Sequence, residues 1–380
     1  MKSITNYLIN SFYRGAIVLL LGSCISPISF DISTEDTSLV IEGRITDQEP
    51  PYTVRVSRSF DLSSDTLTID PEENALVILY DNQGNSEVFD EVEPGVYQTR
   101  GFMQGTVGRL YSIYVKTRQG AEFESTPEAL KAVGEIKEIR HEYDERSRLE
   151  DFGLVRNDVF KIFVDADGGQ AATPLIRWRL KATYEVETYP ALHEIFFPDT
   201  APLKSPWPCS GYIVDEGPAF SGGILRQVGT CTCCKCWATR YEEVPQLSDQ
   251  FKVQNNHYQN ILVGEVPITN NIFHRKVLVE IEQMTVSEVA FNFYRAIRSQ
   301  KLGAADLFQP QIGQLTGNIR ALDPNDQVLG LFHAGAVDSK FIYLYREDVP
   351  YNITPITFRT LPCYDAYLNA TAEKPIRWIN

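Results

Sequence analysis

The sequence has no apolar run that could cross a bilayer. Gly15–Leu21 holds seven apolar residues, a spanning helix needs about 20, and no later stretch comes near that. Histidine is scarce, and His141, His193, His257, His274 and His333 stand in unrelated contexts. None forms the His-Glu-x-x-His pair that sets two zinc ligands on one helix face; His193-Glu194-Ile195-Phe196-Phe197 lacks the second histidine. There is no Gly-x-Ser-x-Gly elbow. Ser221-Gly222-Gly223 has no preceding aspartate and no partner in a recognisable context, so it reads as a loop. No glycine loop of the phosphate-cradling kind is present. Asp165-Ala166-Asp167-Gly168-Gly169 opens like a calcium loop, but Ile176 stands where the glutamate ligand belongs, and a tight turn between strands is expected. Pairs of carboxylates among 50 acids arise by chance and carry no signal for glycoside chemistry. No catalytic, cofactor-binding or metal-ligating set is therefore read.

Basic charge is also in short supply. The chain has 35 Lys and Arg against 50 Asp and Glu, a formal charge of −15. Such a balance repels phosphate backbones, and nucleic acid is not expected as a partner, because that binding draws on clustered Lys and Arg. Hydrophobic residues at 43% and aromatics at 11% are enough for sizeable cores. At about one domain per 150 residues, 380 residues suggest two domains.

The first residues read as a leader: Lys2 and Arg14 flank a polar start, the short apolar run follows, and Gly22-Ser23-Cys24 closes it. Leu21-Gly22-Ser23-Cys24 resembles the bacterial lipobox, whose cysteine thiol carries diacylglycerol. An ordinary signal peptide with a chance cysteine is the rival, set aside because the cysteine falls where the apolar run ends. Residues 1–23 are thus expected to be a lipoprotein signal peptide, Cys24 the lipidated residue, and 24–37 a polar tether containing Pro27. Two or three acyl chains, at about 0.8 kcal/mol per buried methylene, hold a protein on a membrane durably.

From Leu39 the pattern turns to short alternating runs. Leu39, Ile41 and Ile45 share a face, as do Tyr52, Val54 and Val56; further strands are expected at 75–80, 87–90, 96–100, 110–116 and 121–125, separated by Asp81-Asn82-Gln83-Gly84-Asn85, Pro94-Gly95 and Gln119-Gly120. That density of short strands reads as an immunoglobulin-like β-sandwich over residues 38–130, folding as a unit of its own. The charged stretch Glu135–Asp151 marks a boundary as a solvated linker or edge strand. Residues 131–380 form a larger β-rich domain. Its clearest strand puts Ile176, Trp178, Leu180, Ala182, Tyr184 and Val186 on one face and Arg177, Arg179, Lys181, Thr183, Glu185 and Glu187 on the other. More strands are expected at 260–266, 276–282, 328–333, 340–346 and 354–359. One prominent helix, near 286–301, shows Val286, Val289, Ala290, Phe293 and Ile297 at helical spacing, with Thr285 and Glu288 as a capping box. Trp178 belongs to the core, whereas Trp207 and Trp237 are better placed for a surface.

Six cysteines remain beside Cys24: Cys209, Cys231, Cys233, Cys234, Cys236 and Cys363. An even number in an exported chain favours disulfides. A metal site in Cys231-Thr232-Cys233-Cys234-Lys235-Cys236 is the alternative, but structural zinc sites usually pair two-residue-spaced cysteines from separate segments. Pairing stays open. Adjacent Cys233 and Cys234 point to opposite sides of an extended chain and so take different partners, and Cys209 and Cys363 are the long-range candidates.

The lipobox, the runs Ser38–Ile45, Pro51–Ser57 and Gly108–Val115, Cys236-Trp237, Leu307-Phe308, Thr316-Gly317-Asn318-Ile319 and Lys374-Pro375-Ile376-Arg377-Trp378 together resemble the Bacteroidetes outer-membrane lipoproteins catalogued as domain-of-unknown-function family 4249. The resemblance covers nearly the whole mature chain. Where that family often has a second cysteine three residues past the one matching Cys363, this chain has Ala366, so Cys363 pairs elsewhere or stays free. The resemblance brings no catalytic residue and no cofactor. It implies a lipid-anchored cell-envelope binding or accessory protein, associated with a TonB-dependent outer-membrane transporter, on the periplasmic or the surface face. The alternatives are an envelope hydrolase with a site assembled from distant residues, or a structural component of an outer-membrane complex.

Overall fold

Alternating apolar residues form strands here because each strand has a partner layer to bury them. In the computed structural model, which describes residues 38–59, 70–150, 153–169, 174–197, 202–217, 222–250, 256–303, 315–353 and 359–379, the chain is mainly β with one long helix, Glu288–Gly303. The leader, Cys24, the tether, Ser221, Leu307-Phe308 and most of the strand expected at 354–359 lie outside the described residues.

The first layers are two six-stranded sheets. One joins Leu39–Ile45, Thr53–Arg58, Val96–Gln98 and Asp90–Glu93; the other joins Glu122–Ser125, Leu110–Lys116, Leu76–Asp81 and Ser86–Val88. Their inner faces share a core of Ile41, Val54, Val56, Val77, Leu79, Ile113, Val115 and Phe123, the alternation legible from sequence. Two members come from far downstream. Val328–Ala334 lies parallel to Leu39–Ile45, with Arg44 level with His333, and Ile319–Ala321 pairs with Glu122–Ser125 in the opposite sheet. Asn318 clips them together: its side-chain amide donates to the Phe332 carbonyl at 2.7 Å and its oxygen accepts the Phe332 amide at 2.9 Å. Gly330, at φ +131°, lets the two strands close up, because a Cβ there would run into the Ile41 carbonyl.

The second pair of layers sets the three-stranded sheet Ile136–Asp144, Val159–Asp167 and His257–Pro267 against a six-stranded sheet built on Ile176–Glu187, Lys276–Thr285 and Val337–Tyr345. The charged stretch after Glu135 is thus an edge strand. Trp178 is fully buried and donates from Nε1 to Gln283 Oε1 at 2.7 Å, and Gln283 in turn donates to the Gly134 and Asp167 carbonyls. A buried amide with its bonds satisfied ties three segments together.

Three local expectations are corrected. Thr285 ends a strand, and its hydroxyl donates to the Ala132 carbonyl, so it is no helix cap; Ser287 Oγ accepts the Ala290 amide instead. Val289 is exposed, while Ala290, Phe291 and Arg298 are buried, because the helix packs through Ala290 and Phe291 on Leu247, Met284 and Leu331. Trp237 is buried beside Trp378, with ring centroids 6.4 Å apart, and Trp207 is half-buried against His193.

The six cysteines meet in three pairs, Cys209 with Cys233, Cys231 with Cys234 and Cys236 with Cys363, at Cα separations of 5.6, 5.7 and 6.0 Å. Adjacent Cys233 and Cys234 take different partners. Cys209–Cys233 lashes the region of the small hairpins around Glu194–Lys204 and Tyr212–Gln227, which bury little, to the segment entering the strand Lys235–Tyr241; Cys231–Cys234 closes a short loop, and Cys236–Cys363 ties that strand to the last part of the chain.

Two outcomes follow from this architecture. Phe332→Ala should cost about 3–5 kcal/mol in denaturant unfolding; a cost under about 1 kcal/mol, the level of a surface change, would mean the downstream strand is no part of the first core. Reduction should speed hydrogen exchange over 190–236 while amides of 39–129 hold their protection, since the first sandwich has no cysteine; uniform loosening of both regions contradicts this.

Candidate functional site

The alternation that buries Trp178 and Leu180 necessarily sets Arg177, Arg179 and Lys181 in a row on the opposite face of the same strand. Instead of facing open solvent, that row forms the floor of a cleft of about 510 Å3. One wall is the outer face of the first sandwich, with Arg44 and its register partner His333. The other wall is the helix, which contributes Phe293, Tyr294 and Ile297. Glu42, Glu49 and Arg55 stand at the sandwich side, and Tyr241 lines the floor.

The charges are arranged around one carboxylate. Glu282, opposite Arg179 in the strand register, is almost wholly buried. It pairs with Arg44 at 3.0 Å and with Lys181, and Arg179 stands at 3.8 Å. Burial alone would raise its pKa, but the charges of Arg44, Lys181 and Arg179 outweigh burial and hold it at about 2. Glu242 is fully used as well: Oε1 takes Arg177 at 2.8 Å and Oε2 accepts the Leu180 amide at 3.0 Å.

Arginine is stacked on tyrosine at both ends. The Arg177 guanidinium lies over the Tyr294 ring at 4.0 Å and that of Arg179 over Tyr241 at 4.6 Å. Burial and the charge of Arg44 pull the Arg179 pKa below the usual arginine value, against the opposing effect of Glu282. His333 is buried with its ring edge against Tyr294, and its Nδ1 has no hydrogen-bond partner among the described residues. Burial, with Arg44, Arg177 and Arg179 close by, pushes its pKa down to about 3, so the ring is neutral near pH 7.

The other residues weighed from sequence do not converge. His141 packs on Phe160, His193 on Trp207, and His257 and His274 stand 3.8 Å from Asp167 and Glu187. Asp165 lies within the strand Val159–Asp167 and accepts from Arg140 and the Asn260 amide on the neighbouring segments, while Asp167, at the end of that strand, accepts the Gly169 amide where the chain turns. Among the described residues no group of three or more His, Cys, Asp or Glu is placed to hold a metal. The cleft residues escaped the sequence reading, which placed Arg177, Arg179 and Lys181 opposite the apolar face and gave them no role. Three cations at alternate positions of an otherwise buried strand were the available signal.

A family model described as "Domain of unknown function (DUF4249)" matches residues 25–341. No curated protein and no solved structure matches the chain.

The cluster makes stability depend on acid. A carboxylate whose folded pKa is depressed stabilises the fold above its unfolded pKa, about 4.3, and loses that contribution as pH falls; for Glu282 the loss runs down to about pH 2. Glu282→Gln should therefore destabilise by about 3–5 kcal/mol at pH 7, because it leaves buried cations unpaired. The gap to wild type should narrow below about pH 4, where wild type begins to protonate the same group. Urea unfolding of both proteins at pH 7 and pH 3 measures it, and an equal gap at the two pH values contradicts the assignment.

Proposed function

The chain belongs to that family, and on that premise we propose that it is a Bacteroidetes lipoprotein: a lipid-anchored binding or accessory protein of the cell envelope, attached to the outer membrane through Cys24 and serving a TonB-dependent transporter. The observation that carries the reading is the cleft. It has the size of a small-molecule site, about 300–1,000 Å3, and its walls come from the first sandwich, the long strand and the helix. Cations and a neutral buried histidine converge inside it. Convergent polar groups against an aromatic wall are what a binding site needs to orient a ligand.

The anchor rests on Leu21-Gly22-Ser23-Cys24. No described helix is long and apolar enough to cross a membrane; in this reading acyl chains supply the attachment. The sandwich, of immunoglobulin type in our reading, follows the tether in sequence and carries one wall of the cleft.

Cys24→Ser should move the protein from the membrane pellet to the soluble fraction; a processed mutant of the right size that stays in the pellet contradicts an anchor at Cys24. Affinity purification of the wild type from crosslinked native membranes, with mass spectrometry, should recover a TonB-dependent transporter. Its absence from the crosslinked material contradicts the partnership.

A further inference from the structure

The cleft is a cationic concavity in a chain of formal charge −15. Arg177, Arg179 and Lys181 at the floor and Arg44 at the foot of the sandwich wall face two carboxylates, Glu242 and Glu282. The rim adds Arg55 against Glu42 and Glu49. Positive charge thus outweighs negative, and the surplus sits at the floor, where burial makes it costly.

Arg179 holds that surplus. Its distance to Glu282, 3.8 Å, is beyond a hydrogen bond, and that carboxylate is shared with Arg44 and Lys181. Stacking on Tyr241 fixes the guanidinium plane and leaves its fork free. His333 lines the same cleft, and its Nδ1, closed off from solvent, has no hydrogen-bond partner among the described residues. A buried polar atom left in this way costs about 1–3 kcal/mol unless something fills the position. Beside these polar groups, Phe293 and Ile297 offer a partly exposed apolar strip.

We propose that the cleft binds a small organic dianion, a dicarboxylate or a phosphate ester. One acid group sits on the fork of Arg179 within reach of Lys181 and Arg44, and the ligand's carbon body lies along Phe293 and Ile297. The inference rests on the reading of the chain as a binding protein and adds the ligand class. Planar acid groups suit arginine because two parallel N–H bonds can form at once.

The test uses the full chain in detergent solution, with succinate and inorganic phosphate as probes, uncharged succinamide as the control, and chloride at matched ionic strength as the baseline. Succinate or phosphate should raise the melting temperature above the chloride baseline and bind in calorimetry. The affinity should fall at least tenfold in Arg179→Met and recover in part in Arg179→Lys, and succinamide should do neither. Arg179→Met should lower the melting temperature modestly, because Arg179 stands 3.8 Å from Glu282, and the loss of anion affinity is read against that baseline. If that variant does not fold, Lys181→Gln provides the second comparison, with the same expected loss of anion affinity. No stabilisation by either anion overturns the proposal, as does an anion effect of equal size in Arg179→Met or from succinamide. These outcomes are separate from the transporter partnership: anion binding without a recovered transporter removes only the partner, and a recovered transporter without anion binding removes only the ligand class.

Discussion

One buried carboxylate holds the two halves of this molecule in register. Glu282 sits on a central strand of the second six-stranded sheet and is claimed by Arg44 from the first sandwich and by Lys181 from the neighbouring strand, with Arg179 at 3.8 Å. Taking such a group out of water is expensive, and the cost is offset only while its cations stay in place. The position of the first sandwich relative to the long strand, and hence the shape of the cleft, therefore depends on that cluster. The helix completes the arrangement from the third side, packing Ala290 and Phe291 on Leu331 and Met284 while Arg298 pairs with Asp249 through two contacts of 2.9 Å.

The same residues explain why a stable fold and a reactive-looking cleft coexist. On the strand Ile176–Glu187 one face is apolar and fully packed, which stabilises the second core, and the other carries cations that the protein neutralises only in part. His333 shows the same tension. Its neighbour Phe332 points into the first core while His333 points outward into the cleft, because adjacent residues of a strand face opposite ways. A single downstream strand thereby closes the sandwich and equips the site.

Much of the architecture was legible because its signals are local. Alternation in Leu39–Ile45, Leu110–Lys116 and Ile176–Glu187 marks strands and even which face is buried, since period two leaves no other arrangement. What sequence reasoning missed is non-local. Nothing in Val328–Ala334 announces that it pairs in parallel with a strand some 290 residues earlier, and Thr316-Gly317-Asn318-Ile319, recognisable as a landmark, discloses its role only when Asn318 is seen clipping Phe332. The cleft was hidden for the same reason. Arg44, Arg179, Glu282 and His333 come from four distant strands, and each alone looks like an ordinary surface or core residue. The helix stripe was misjudged at Val289, which is exposed while Phe291 is buried, because the buried face of this helix is narrow and includes a paired arginine.

The central claim is that the cleft carries more positive than negative charge and seats an anion beside Arg179. Anomalous diffraction from crystals soaked in sodium bromide tests this most directly, since bromide is a small anion whose location needs no assumption about the natural ligand. The account predicts an ordered bromide in hydrogen-bond contact with the Arg179 guanidinium at the mouth of the Arg44–Lys181 cluster. A cleft free of bromide while other surface sites fill, or an Arg179 paired with a protein carboxylate in that crystal, would contradict it.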